Sequence, residues 1–234
     1  MGDVDLAVVA ALIGDPSRAA MLDALMTGRA LAAGELARVA GIGGPAASEH
    51  LGRLTRGGLV EVVAQGRHRY YRLAGPDVGA ALEALSHIAP AKPVTGLRQS
   101  GNARSLAFAR TCYDHLAGTC GVALHDAAVT RGWLVAGADG YDLTGPGAES
   151  LRDLGVDVDA ARVSRRALAR PCLDWTERRP HLAGALGARL CDRFLEAGWL
   201  VRRSRETRAL RITDAGRRAF VELGCRLDQP VTSG

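Results

Sequence analysis

The sequence predicts a mainly helical α+β protein in two parts, and three observations support this prediction. Apolar residues recur at the three- and four-residue spacing of helices through most of the first ninety positions. A run rich in β-branched and aromatic residues interrupts them at 59–73, with a glycine near its centre, as in a hairpin. In the second half one sequence of 21 residues occurs twice, which indicates two copies of one supersecondary unit.

Composition narrows the class of protein further. Of the 234 residues 47% are hydrophobic but only 4% are aromatic, which favours closely packed helices over a large β-sandwich. No apolar run approaches the ~18 residues of a membrane span, and Asp3 and Asp5 stand where a signal peptide needs basic charge. The five cysteines are odd in number and include no CxxC pair, unlike a secreted disulfide scaffold. We therefore expect a cytoplasmic protein without a membrane partner.

The net charge of +5 lies mainly near the end of the chain. Residues 161–234 carry 16 basic and 8 acidic side chains, whereas residues 1–90 carry 8 and 9. Overall charge therefore does not identify the first part as a region that binds a polyanion. The arginine-rich stretch 201–213 is a candidate second contact for such a partner, or a solvated surface.

The first part of the chain divides into five helices and a hairpin. Asp15 and Pro16 are a typical N-cap and first helical residue, and glycines end the next three helices. In order, we predict helices over 4–13, 16–27, 34–40 and 45–56, a hairpin over 59–73, and a helix over 77–89. This is the order of a winged helix-turn-helix, in which a short helix supports a second helix in the major groove of DNA.

The predicted DNA contacts lie on the second helix of this motif and at the tip of the hairpin. Glu49 could accept from a cytosine amino group, and Ala46 or Ala47 could touch a thymine methyl group. Arginines at the hairpin tip can pair with phosphates of the DNA backbone. Arg53 and Arg56 lie on the outer side of the second helix and could also contact DNA, or they could serve only to keep the helix surface soluble. The predicted DNA-binding residues are Ala46, Ala47, Ser48, Glu49, His50, Arg53, Arg56, Arg67, His68, Arg69 and Tyr70.

Three segments resemble the DNA-binding domain of the ArsR family of regulators: DPSRAAMLDAL, GELARVAGIGGPAASEHLGRLTRGGLV and GRHRYYRL. The resemblance covers roughly residues 5–90. It implies a homodimer that packs through the first and last helices of the domain and binds a twofold operator in duplex DNA. It also implies repression that a ligand relieves.

The sequence departs from the ArsR pattern at two places. Polar residues common at the start of that family's recognition helix are replaced by Gly43, Gly44, Ala46 and Glu49, which favours readout of DNA shape and phosphates. The family's Glu-Leu-Cys-x-Cys motif has no cysteine at 35–39, so that arsenic or cadmium site is absent.

The second half is an internal repeat that follows a predicted linker rich in proline and glycine. HLAGTCGVALHDAAVTRGWLV begins at His115 and HLAGALGARLCDRFLEAGWLV at His181, with 11 of 21 positions identical. Each copy is predicted as helix, strand, strand and helix, like the back half of a winged helix, and the two copies would pack about a pseudo-twofold axis. The predicted domains are 1–90 for DNA binding and dimerisation, 91–104 as linker, and 105–234 as an effector domain with repeats at about 112–156 and 172–225.

The repeat also places thiols and imidazoles at related positions. Cys112 and His115 in one copy correspond to Cys172 and His181 in the other, and these four could bind zinc or another soft metal. Asp114 and Asp174 could support them as outer partners. The spacing from cysteine to histidine differs, three residues against nine, which leaves purely structural roles open. Alternatively, Cys112 or Cys172 could be a thiolate that senses oxidants or electrophiles.

These observations together predict a homodimeric DNA-binding transcriptional regulator. We expect a repressor whose operator affinity responds to a ligand, metal or thiol chemistry in the C-terminal domain, with a small molecule or a metal as effector. The alternatives are an architectural DNA-binding protein without a ligand, and a regulator fused to an enzymatic domain. Residues 91–234 contain no glycine-rich nucleotide loop, HExxH or GxSxG, so we expect no enzymatic activity.

Overall fold

The computed structural model describes residues 4–90, 96–205 and 207–227 and divides the chain into two compact units. Unit 1 is Met1–Ala89 with Ser204–Arg208, and unit 2 is Pro90–Arg203 with Ala209–Gly234. The described residues form eleven helices, one three-stranded sheet and four two-stranded sheets, all antiparallel. The predicted α+β class is therefore confirmed.

Unit 1 has the helix-turn-helix order with a three-stranded wing sheet. Asp15 accepts a hydrogen bond from the Arg18 backbone N–H at the start of the second helix, as its N-cap position predicts. The sheet order is β1-β3-β2, and its two-residue first strand is too short to show in the sequence. The elements are α1 (Leu6–Ile13), α2 (Pro16–Leu25), β1 (Leu31–Ala32), α3 (Ala33–Ala40), α4 (Gly44–Arg56), β2 (Val60–Gln65), β3 (His68–Leu73) and α5 (Pro76–Ile88).

Unit 2 consists of a leading helix and two repeats, each built as hairpin, helix, hairpin and helix, with one further short helix between the repeats. The second hairpin of each repeat was predicted, whereas the first, which carries the cysteine and histidine, was not. The elements are α6 (Leu97–Phe108), β4 (Arg110–Cys112), β5 (His115–Ala117), α7 (Thr119–Thr130), β6 (Leu134–Gly137), β7 (Gly140–Leu143), α8 (Gly145–Asp153), α9 (Val158–Arg162), β8 (Arg170–Leu173), β9 (Pro180–Ala183), α10 (Gly184–Glu196), β10 (Leu200–Arg202), β11 (Leu210–Ile212) and α11 (Asp214–Glu222).

The prediction that all of 91–104 is a linker is wrong, because helix α6 begins at Leu97. Residues 97–104 form the first two turns of that helix, while 91–95 lie outside the described residues. The proline and one of the two glycines of this stretch, Pro93 and Gly96, come before Leu97, and the other, Gly101, disfavours a helix but lies inside α6. Averaging the composition over the whole stretch concealed this boundary.

The two repeats pack reciprocally, as a pseudo-twofold arrangement requires. Helix α7 of the first repeat contacts β9 of the second, and α10 of the second contacts β5 of the first. The equivalent glycines Gly121 and Gly187 let each of these helices lie close to the preceding strand of its own repeat, because a Cβ at either position would lie 2.5 Å from the Leu116 carbonyl oxygen or 2.4 Å from that of Leu182. The same two glycines lie against the histidines of the opposite repeat, His181 and His115.

Substituting Gly187 by alanine is expected to lower the free energy of unfolding by about 1–3 kcal/mol, because the new methyl group overlaps the Leu182 carbonyl. The matched control is Gly101→Ala in helix α6, where no heavy atom lies within 4 Å of the added Cβ. The control should raise stability by roughly 0.5–1 kcal/mol. Urea unfolding of both variants measures the difference, and equal stabilities would contradict the close approach.

Candidate metal centre and nucleic-acid interface

Helix α4 presents one face to the core of unit 1 and another to solvent. Ala47, Leu51 and Leu54 recur at helical spacing and are each 0% exposed. The predicted thymine contact of Ala47 is therefore wrong, because a fully buried methyl group cannot reach a base edge. Ala46 and Ser48 are exposed on the other face.

Two polar residues of α4 are already engaged within the protein. Glu49 accepts a hydrogen bond of 2.6 Å from the exposed guanidinium of Arg53, one turn later on the same helix. His50 is half-buried, and its Nδ1 lies 3.4 Å from Arg18 and 3.7 Å from Asp15. Arg18 also donates to two carbonyls of α1, so His50 is tied to the framework of unit 1. Contact of His50 with a base stays a prediction.

The hairpin of β2 and β3 extends a basic tip into solvent. Gln65 pairs with His68, and between them Gly66 has a φ of +58°, a left-handed conformation that favours glycine. Arg67, His68 and Arg69 are exposed, whereas Tyr70 is half-buried. Farther along the hairpin, exposed Arg72 forms an ion pair with Glu61, so its charge is already balanced.

One arginine of the stretch 201–213 is buried and paired. Arg208 is 8% exposed and belongs to unit 1, where its guanidinium lies 3.0 Å from Asp23 and 3.1 Å from Glu83. Because two carboxylates of the protein neutralise it, Arg208 cannot serve in a second DNA contact. For the rest of this stretch the contact stays a prediction.

The four predicted metal-ligating residues of unit 2 come together. In the first repeat Cys112 faces His115 across β4 and β5, and in the second Cys172 faces His181 across β8 and β9. His115 follows Cys112 by three positions and His181 follows Cys172 by nine, yet in both hairpins the histidine is the direct cross-strand partner of the cysteine. The unequal spacing therefore reflects a longer hairpin loop and does not separate the ligands.

The side chains of Cys112, His115, Cys172 and His181 form a compact cluster, called the Cys2His2 cluster below. One ligand atom from each lies within 4.8 Å of the others. The two Sγ atoms are 3.9 Å apart, and the imidazole rings stack with their centroids separated by 5.1 Å. Three of the residues are buried, and Cys172 is half-buried. The cluster is therefore built from both repeats and shielded from solvent.

A carboxylate lies beside the Nδ1 atom of each imidazole. Asp114 lies 3.2 Å from Nδ1 of His115, and Asp174 lies 3.4 Å from Nδ1 of His181, as expected for repeat-equivalent outer partners. Each carboxylate also has its own arginine: Asp114 pairs with Arg166, and Asp174 with Arg110. The buried Nε2 atoms of both histidines, and also Nδ1 of His181, have no hydrogen-bond partner in the described part of the protein.

Asp174 accepts hydrogen bonds from several groups in a buried polar network that the sequence analysis did not predict. Besides the guanidinium of Arg110 at 2.9 Å, it accepts hydrogen bonds from the Gly118 N–H at 2.7 Å and from the Thr176 hydroxyl at 2.6 Å. The Arg110 guanidinium also stacks 4.5 Å from the Trp175 ring centre. Burial alone would disfavour charge on Asp174, but Arg110 and these donors outweigh it and hold the pKa of Asp174 well below its usual range.

The cysteines of unit 2 divide into two electrostatic classes. The hydrogen bond from Cys112 lowers the pKa of the Cys172 thiol, and nearby His115 and His181 lower it further against the effect of burial. Burial instead raises the pKa of Cys120, Cys191 and Cys225 to about 12 each. Among these four cysteines only Cys172, which belongs to the cluster, lies where a thiolate, the metal-binding form, is stabilised.

Comparisons with known proteins extend these observations. A family model described as a helix-turn-helix domain matches residues 13–63. The uncharacterized HTH-type transcriptional regulator YdfF of Bacillus subtilis (strain 168) is 46% identical over 216 residues, which are 92% of this chain and 95% of that protein. The match is so extensive that both units have counterparts in this relative.

Two solved structures are each similar to part of this chain. A homodimeric winged helix-turn-helix DNA-binding domain, Mb0332 from Mycobacterium bovis, described as a possible ArsR-family regulator, is 29% identical. It covers 38% of this chain and 88% of that chain, with a TM-score of 0.33. The cadmium metal-sensor CMTR from Mycobacterium tuberculosis is 30% identical and covers 40% of this chain and all of that one, with a TM-score of 0.32. Within the described ranges, no helix is both long and apolar enough for a membrane crossing.

Proposed function

We propose that this chain, which belongs to the helix-turn-helix transcriptional regulators, acts by binding operator DNA through the exposed face of α4 and the basic tip of its hairpin. The observation that carries the proposal is the exposure of Arg67, His68 and Arg69 at the tip of a hairpin in the same unit as the helix-turn-helix. Phosphate pairing by such a tip supplies affinity and fixes orientation.

The contacts separate into two classes. Base edges would meet Ala46, Ser48 and Glu49, and phosphates would meet Arg53, Arg56 and the hairpin tip. Since Glu49 already holds Arg53, reading a cytosine would require this ion pair to open or to be shared. This sparse set of polar groups favours a site selected largely by DNA shape.

The regulator is proposed to act as a homodimer. Exposed apolar side chains on or next to α1 and on α5 support this, because water-exposed apolar surface is typical of an unfilled interface. They are Val4 at 85%, Leu6 at 75%, Val8 at 55%, Leu85 at 41% and Ile88 at 81% exposed. Two copies would match a twofold operator, and occupation of a promoter would repress transcription.

The effector site of this regulator is proposed to be the Cys2His2 cluster of unit 2. Metal binding or thiol chemistry at Cys112 and Cys172 would change the contacts between the two repeats. If this change is energetically coupled to DNA binding, the affinity for the operator would change as well. A small molecule remains an alternative effector, and a DNA-binding protein without a ligand is the second candidate function. We propose no enzymatic activity and a cytoplasmic location.

Purified full-length protein is expected to bind a duplex from its own upstream region with strongly salt-dependent affinity. Fluorescence anisotropy over a salt series measures this, with a scrambled duplex of equal length as control. Repeating the titration with added zinc, with chelator and with a peroxide tests the effector site. Absence of salt-sensitive affinity for any duplex contradicts DNA binding. Equal affinity in all three additions contradicts only the effector site.

A further inference from the structure

We propose that Cys112, His115, Cys172 and His181 bind one zinc ion in a tetrahedral site that joins the two repeats of unit 2. This deepens the proposed function, on whose effector site it rests, by naming the ligand of that site. Its evidence lies entirely within unit 2, so it can be tested without DNA.

The distances suit zinc. Zinc–sulfur bonds of about 2.3 Å in a tetrahedron place two sulfurs roughly 3.8 Å apart, and the Sγ atoms of Cys112 and Cys172 are 3.9 Å apart. All four ligand atoms lie within 4.8 Å of one another, so only small rotations would bring each to bonding distance of a common centre. The backbone pairing of the two hairpins already fixes this placement.

The charges select a divalent ion. Both cysteines bind as thiolates, so binding releases any proton that a thiol still carries, and the two thiolates balance the charge of Zn²⁺. The outer carboxylates add no net charge, because Asp114 is paired with Arg166 and Asp174 with Arg110. A neutral complex suits a buried site, whereas monovalent copper would leave one negative charge uncompensated. Magnesium and calcium prefer oxygen ligands, which this set does not supply.

The histidines are prepared to bind through Nε2. Nδ1 of His115 is hydrogen-bonded to Asp114, which fixes that ring and its proton as in carboxylate–histidine–zinc sites, and Nδ1 of His181 lies 3.4 Å from Asp174. The opposite nitrogen of each ring is buried without a hydrogen-bond partner in the described residues. Buried unsatisfied nitrogens are uncommon in native proteins and call for a ligand or ion. Two such atoms beside two thiols are explained together by one metal ion.

A disulfide between Cys112 and Cys172 accounts for less of the structure. It would use the two sulfurs but leave both imidazoles, each beside a carboxylate, without a role. Zinc uses all four side chains. Because four protein ligands fill the tetrahedron, no position stays open for a substrate, which suits a structural or sensory ion.

Cobalt substitution tests the site in the full chain. Reduced protein freed of metal by a chelator is titrated with Co²⁺ alone. We expect the strong visible absorption of four-coordinate cobalt and a near-ultraviolet thiolate-to-cobalt band, both saturating at one equivalent and lost when zinc is added. Asp114→Asn should weaken binding about 10- to 100-fold, because it removes the group that orients His115. Cys172→Ser should reduce the thiolate band and weaken binding further.

Cys191→Ala is the matched control, because Cys191 is a buried thiol of the same unit outside the Cys2His2 cluster. It should leave the cobalt spectrum unchanged. The proposal is overturned if wild-type protein gives only the weak spectrum of six-coordinate cobalt. It is equally overturned if Cys191→Ala abolishes the bands, or if the reduced protein binds no cobalt and dissolved oxygen then oxidises its two thiols to a Cys112–Cys172 disulfide. Should Cys172→Ser fail to fold, the wild-type and Cys191→Ala titrations still decide. DNA binding plays no part in any of these outcomes.

Discussion

Replacing Arg110 with methionine is expected to lower the free energy of unfolding of unit 2 by about 3–5 kcal/mol. Arg110 and Asp174 form an ion pair in which both side chains are 0% exposed. Methionine fills much of the same volume but leaves the Asp174 carboxylate as a buried charge with only neutral donors. The penalty therefore comes chiefly from the unpaired carboxylate rather than from lost packing.

Chemical denaturation monitored by tryptophan fluorescence measures this effect, because Trp175 lies against Arg110. Arg179→Met is the matched control: Arg179 forms an ion pair of 2.7 Å with Asp126 in the same unit, but its side chain is 58% exposed. Exposed pairs contribute about 0–1 kcal/mol, so the control should change stability little. Similar losses in the two variants would show that burial does not distinguish these pairs.

Replacing both Arg67 and Arg69 with alanine is expected to weaken operator binding by a hundredfold or more at ~0.1 M salt. Both arginines are exposed at the hairpin tip, where phosphate contact releases counterions. In a homodimer four contacts are lost, so the slope of log affinity against log salt should fall by about 3–4. Fold and stability should be preserved, because neither side chain is buried.

Arg72→Ala is the control for this double variant. Arg72 lies on the same strand as Arg69 and is also exposed, but Glu61 already balances its charge. Its removal should change the salt slope by less than the loss of either tip arginine. If Arg72→Ala reduced affinity as much as the double variant, net charge rather than the position of the tip would govern binding.

The sequence predicted unit 1 well because local signals agree with its tertiary packing. The N-cap at Asp15, the glycine-terminated α3 and the hairpin around Gly66 are each specified by residues close to them in the chain. The error at Ala47 was avoidable, because Ala47 precedes Leu51 and Leu54 by four and seven residues and therefore shares their buried face.

The first hairpin of the first repeat was missed for a physical reason. Arg110, Thr111 and Cys112 are all buried, and so are the three residues of β5, so neither strand shows the alternation of a half-exposed sheet. These strands are also only three residues long. The repeat predicted which cysteines and histidines correspond, but the pairing register that brings them together emerged only from the structure.

The polar network around Asp174 could not be predicted from sequence. A fully buried arginine is uncommon, and the burial of Arg110 depends on its ion pair with Asp174. Asp174 is 64 residues away in the sequence, so no local pattern indicates this pair. The signal available was the equivalence of Asp114 and Asp174 between the repeats. It indicated that both carboxylates support the histidines, but not that each is held by its own arginine.

The central claim, that the two repeats converge on one metal ion, is tested most directly by zinc-edge X-ray absorption of the purified full chain. The account predicts one zinc per chain, with two sulfurs at about 2.3 Å and two nitrogens at about 2.0 Å. A sample without bound zinc, or a first shell of oxygens without sulfur, would contradict it.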